Sequence, residues 1–115
     1  MNEINGKITY KGTDFPLAFT LNVMEEIQEE YGTLDAWGDL TSGADGEPNA
    51  KAVIFGFTAM INEGIDIENE SLEEKRPFVS KKQVGRIITE HGLMSATQTL
   101  HNTVNASVQD TEKNE

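Results

Sequence analysis

Carboxylates are the most abundant ionisable groups in this chain, and their densest set is Glu25, Glu26, Glu29 and Glu30. Carboxylate pairs perform acid–base chemistry when burial or a neighbour forces their pKa values apart. Glutamates at this spacing fall on one face of a helix opposite Val23, Ile27 and Tyr31, so they predict a solvated face or an acidic docking surface. The two histidines, His91 and His101, lie at a helix end and on a different helix, with no cysteine and no compact carboxylate set to complete a metal site. A calcium loop around Asp39, Asp45 and Glu47 fails because the oxygen ligands miss the required spacing. No nucleophile elbow, phosphate loop, dinucleotide fingerprint or zinc-binding helix motif occurs. The residues therefore predict a protein that is not an enzyme, with no cofactor and no metal.

A second concentration is basic. Lys75, Arg76, Lys81, Lys82 and Arg86 are five of the nine basic residues of a strongly acidic chain. Lys81 and Lys82 fall at a helix N-terminus, where the dipole disfavours each cation by a few tenths to ~1 kcal/mol. Such a departure from local consistency marks either a patch for an acidic partner or a second copy, or internal pairing with Glu73, Glu74 or Glu90. Trp37, on a helix too short to stand alone, must anchor that helix to the core or wait for a partner.

These groups need elements to position them. Ile4, Ile8 and Tyr10, then Phe15, Leu17, Phe19 and Leu21, alternate around a turn of residues 11–14, which predicts an N-terminal β-hairpin. Pro16 starts the second strand or lies at an edge. Asn22 with Glu25 fits a capping box for the glutamate helix, which Gly32 ends; Thr33 caps a short helix over Leu34, Ala36, Trp37 and Leu40. Residues 41–49 form a loop. Residues 50–64 read as a helix apolar nearly all round, capped by Asn49 and stopped by Gly64, with Val53, Ile54, Phe57, Met60 and Ile61 innermost. Gly56 in its middle predicts the close passage of another backbone.

Residues 65–80 read as an exposed, acid-rich excursion holding at most a short extended piece at 65–67 or 78–79. Ser80 and Gln83 box the next helix, with Val84, Ile87, Ile88 and His91 at helical spacing and Gly92 as its stop. The last helix should run from about 93 to 108 with Leu93, Ala96, Leu100, Val104 and Val108 on one stripe. The expected fold is α+β and mostly helical, a hairpin packed on a small bundle of four to five helices. Residues 1–108 form one globular domain and residues 109–115 a disordered polar tail.

At 115 residues and a formal charge of −11 the chain is one domain without disulfides. The charge argues against duplex nucleic acid, whose binding needs lysine and arginine on phosphates, and favours basic or polar protein partners. The first residues lack the order of a signal peptide, and no apolar run reaches the ~20 residues of a membrane span. The cytoplasm is the expected compartment.

The order of hairpin, LNVMEEIQEEYGTLDAW, glycine-rich loop, AVIFGFTAMINEG, polar stretch and VGRIITEHGLMSATQTLHNTVNAS resembles the tail assembly chaperones of long-tailed bacteriophages. It is also similar to the related tail tube family of gene transfer agents. The resemblance spans roughly residues 4–108 and carries no catalytic residues. It implies a protein made in the bacterial host cytoplasm that escorts the tape-measure protein and meets other tail proteins before tube polymerisation. A structural tail tube or completion subunit, retained in the particle as a homo-oligomer, is the alternative; an acidic imitator of DNA is a third. Family members come in two lengths through a ribosomal frameshift, and Glu112, Lys113 and Asn114 can be encoded by GAA AAA AAC, which contains a slippery run. Trp37, the four glutamates and the five basic residues are the candidate protein-binding set.

Overall fold

The computed structural model describes residues 4–44 and 46–113, with side chains of the last helix through Ser107. Alternating apolar residues produce β1 (Ile4–Tyr10) and β2 (Thr13–Ala18), which pair antiparallel with Tyr10 opposite Thr13. Lys11 (φ 51°) and Gly12 (φ 79°) are both left-handed. They form the two-residue turn whose twist matches the strands, tighter than the four residues expected. Pro16 lies opposite Lys7 in a sheet of two strands, so every strand is an edge and its missing N–H breaks no interior ladder.

Five helices follow among the described residues: α1 (Leu21–Tyr31), α2 (Leu34–Ser42), α3 (Ala50–Asn69), α4 (Lys81–His91) and α5 (Leu93–Lys113). The fold is α+β and mostly helical, with the hairpin packed on the helices. α3 touches β2, α1, α2, α4 and α5, as its nearly all-round apolar surface requires. Val53, Phe57, Met60, Ile61 and Ile65 are fully buried on it. Each such side chain contributes about 1.5–3 kcal/mol by leaving water. Ile54, expected innermost, is only partly buried; its end faces Gly85 of α4 at the margin of the core.

Local capping chemistry is made by the residues that the sequence singles out. The Thr33 hydroxyl accepts the Ala36 N–H at 3.0 Å, and the Asn49 side chain accepts that of Ala52 at 2.9 Å. Ser80 and Gln83 form a reciprocal box. Gly32 and Gly92 follow the ends of α1 and α4.

Elsewhere tertiary partners override local signals. α3 does not stop at Gly64 but runs on to Asn69, because Gly64 is a contact surface: a β-carbon there would lie 2.9 Å from the Pro16 ring. Gly56 also serves a close approach, of the Trp37 ring and not of another backbone. α1 begins after Thr20 without a side-chain cap, and the predicted Asn22 box is not made. Instead Thr20 and Asn22 donate to the Glu63 carboxylate at 2.5 and 3.0 Å, which sets an anion from α3 beside the N-terminus of α1. α2 extends to Ser42 because Thr41 is buried, its hydroxyl 2.9 Å from His101 Nε2 of α5.

On α5, Ala96 and Leu100 are buried, and Leu93 and Val104 pack against the core. Its backbone continues past the expected end at 108 to Lys113. The side chain of Val108 and the last two residues of the expected tail, 114 and 115, lie outside the described set.

Candidate protein-binding groove

One face of α3 stays open between α1 and the segment leading to α4. Phe55, Ala59, Asn62, Glu63 and Asp66 fall at successive helical spacings along it. Across from this stripe runs the segment 70–80, which holds no regular secondary structure beyond turns. It is nevertheless fixed, by two asparagines two turns apart on α3. The Asn62 amide donates to Val79 O at 3.1 Å while its carbonyl accepts the Val79 N–H at 2.8 Å. Asn69 makes the same pair of bonds with Arg76, at 3.0 and 2.9 Å. Each asparagine thus mimics a strand neighbour, satisfying both backbone groups of one residue.

Between the two clamps lie Pro77 and Phe78. Phe78 is 58% exposed, unusual for an aromatic ring beside a pinned backbone. With Phe55 and Ala59 it supplies the apolar part of a groove of about 350 Å³, rimmed by Glu26, Glu63 and Asp66 and by Lys81. A second hollow of about 620 Å³, on the other side of Phe78, shares Asp66 and Phe78.

Electrostatics along the rim are uneven. Burial raises the Glu26 carboxyl above its ordinary value, and repulsion from Glu63, Glu25 and Glu29 adds to the shift. Glu63 accepts the two bonds from α1, whereas Asp66 makes no hydrogen bond or ion pair among the described residues. The Lys81 ammonium lies 5.7 Å from the centre of the Phe55 ring, a cation–π contact that offsets its poor position at a helix start.

The candidate set expected from the sequence divides sharply. Trp37 is 1% exposed, with its indole N–H bonded to Ala52 O at 3.0 Å. It anchors α2 to the core and is not available to a partner, which corrects its place among the binding residues. Lys75 donates to the carbonyls of Asn69 and Leu72 at the end of α3, where the helix dipole favours a cation. Arg76 donates to Asp14 O at 3.0 Å, lies 3.6 Å from the Glu68 carboxylate and 4.9 Å over the Phe15 ring, so it ties the segment to the hairpin. The internal partners are Glu68 and backbone carbonyls, in place of the anticipated Glu73, Glu74 or Glu90.

Lys82 and Arg86 are exposed and make no ion pair or hydrogen bond among the described residues. Of the glutamates, Glu26 reaches the groove, Glu30 lies 3.9 Å from Lys51, and Glu25 and Glu29 are exposed on α1. Phe55, Glu63, Asp66 and Phe78 were absent from that set. For Phe55, Glu63 and Asp66 the signal is the helical stripe 55, 59, 62, 63, 66, complete once α3 passes Gly64; Phe78, on the irregular segment, carries no such periodic signal.

Among the described residues, no group of three His, Cys, Asp or Glu could hold a metal ion, and no helix is long and apolar enough to cross a membrane. Comparison with protein families, curated proteins and solved structures returns no match.

Proposed function

We propose that this chain is a tail assembly chaperone of the long-tailed bacteriophage kind, which holds the tape-measure protein in the host cytoplasm before the tail tube polymerises. The observation that carries the reading is the groove on α3, where a pinned segment holds an exposed aromatic ring beside an apolar stripe with an acidic rim. Helical partners dock by laying an apolar face into such a groove. The resemblance across residues 4–108 supplies the biological setting, a long helical tape measure escorted before the tube polymerises.

The alternative is a tail tube or completion subunit. It draws on Lys82 and Arg86 of α4 and Glu25 and Glu29 of α1, which make no ion pair among the described residues and form complementary patches that could join copies head to tail. Mass spectrometry of purified particles separates the two. A chaperone is abundant in the producing cells and absent from the particle, whereas recovery in amounts matching the tail tube would replace this reading with the structural one.

A further inference from the structure

We infer that the α3 groove selects the basic amphipathic face of a partner helix, seating an apolar side chain against Phe55 and Phe78 and a lysine or arginine against Glu26 and Asp66. The proposed function supplies only the partner's name; the chemistry of the occupant comes from the groove. From Phe55 to Asp66 the stripe covers twelve residues of α3, eleven steps or about 16 Å at 1.5 Å per residue. A docked helix presents anchors at i, i+3 or i+4, and i+7 over about 10 Å, which the stripe is long enough to receive. Among the described residues no strand lines the groove, so an extended peptide would find no strand edge to pair with there.

Charge decides the character of the occupant. Three carboxylates and one ammonium line the groove. Thr20 and Asn22 partly satisfy Glu63. Glu26 and Asp66 form no ion pair among the described residues, although Lys81 lines the same groove. A cation arriving there relieves the mutual repulsion around Glu26. Lys81 over Phe55 favours an acidic residue at that end, which gives the docked helix a direction.

A second copy of this chain fits poorly. Among the described residues, Lys82 and Arg86, which make no ion pair or hydrogen bond, sit on α4, whose apolar residues Val84, Ile87 and Ile88 are buried in their own core. They cannot bring an apolar anchor with them, and two copies at −11 each repel.

The test uses the full chain and two synthetic peptides of about five helical turns, one amphipathic in leucine and lysine and the other in leucine and glutamate. Binding is followed by amide chemical shifts and titration. Two charge-reversed variants carry the same change of net charge, Glu26→Lys with Asp66→Lys at the groove and Glu47→Lys with Glu90→Lys elsewhere. The cationic peptide should bind with its largest shifts at Ala59, Asn62 and Phe78, and the anionic one should not bind. The groove pair should weaken binding by about tenfold or more, the expected effect of losing close charge contacts. The control pair should change it only a few-fold, and Phe78→Ala, at an exposed position, should weaken it without altering the melting temperature. Equal losses from both pairs, shifts centred elsewhere, indifference to peptide charge or no binding would each overturn the inference. So would a dimer that the groove pair dissociates. Because the peptides carry no tape-measure sequence, the outcome is independent of particle composition, and either conclusion can fail alone.

Discussion

Replacing Gly56 with alanine sets two calculable effects against each other. Helix propensity alone favours alanine by up to ~1 kcal/mol at this interior position of α3. Packing opposes it, because the new β-carbon would lie 2.4 Å from Trp37 Cζ2 and 3.2 Å from Cε2, distances that require the ring to move. Trp37 is fully enclosed, so overpacking costs about 1–3 kcal/mol, and displacing the indole from Ala52 O strands a buried donor at about 1–3 kcal/mol more. The clash should win by roughly 2–3 kcal/mol, lowering the melting temperature by roughly 8–15 °C. The chain has one tryptophan, so fluorescence reports the displaced ring directly while thermal melting gives the cost. In a Trp37→Phe background the second ring of the indole is gone, and Gly56→Ala should become much milder, with a coupling of at least about 1 kcal/mol. A Gly56→Ala protein that melts at or above the parent temperature with unchanged emission would refute the reasoning, as would strict additivity in the double variant.

Phe57→Ala, at the centre of α3, should cost about 3–5 kcal/mol in urea titration, enough to unfold most small domains. Asn62→Ala should remove both bonds to Val79, speed amide exchange at Val79 and destabilise the chain by about 1–3 kcal/mol; unchanged exchange would show that the clamp is not what fixes the segment. Glu26 holds its proton more tightly folded than unfolded, so stability contributed by its neutral form is present at low pH and lost as pH rises through the raised folded value. Glu26→Gln should therefore stabilise the protein at neutral pH, flatten that part of the stability profile and make no difference well below the carboxylate range. Burial lowers the pKa of His101, so its contribution is lost in the opposite direction, as pH falls from the ordinary histidine value through the folded one; His101→Gln should remove that loss in acid denaturation curves.

What could be read from the sequence was chemistry that acts within a few residues. Thr33, Asn49 and Ser80 cap the helices they precede, and Gln83 reaches back from the first turn of α4 to the Ser80 N–H, because each target lies three residues away. The alternation on both sides of Lys11 and Gly12 gives the hairpin for the same reason. Signals failed where a distant group competed. Asn22 reads as a cap in sequence, but α1 starts earlier, after Thr20, and the Asn22 amide donates to Glu63 on another helix. Gly64 has the look of a helix stop, yet Pro16 from β2 presses against it and the helix continues. That single misplaced end hid Asp66 from the α3 stripe and left Asn69 in an apparent loop. The groove was therefore unreadable even though Glu26 and Lys81, two of its rim residues, had been marked for their charge. Trp37 shows the converse: its type admits both an anchor and a contact, and only the packing against Gly56 and Ala52 decides.

Co-expression of this chain with the tape-measure protein that the proposed function assigns to it, followed by affinity capture of the chain, tests the central claim most directly. The account predicts a soluble complex in which the tape measure is retained, and its loss when Phe78→Ala is combined with Glu26→Lys and Asp66→Lys while the chain itself stays folded. A tape measure that is never captured, or one captured equally well by the triple variant, would contradict it.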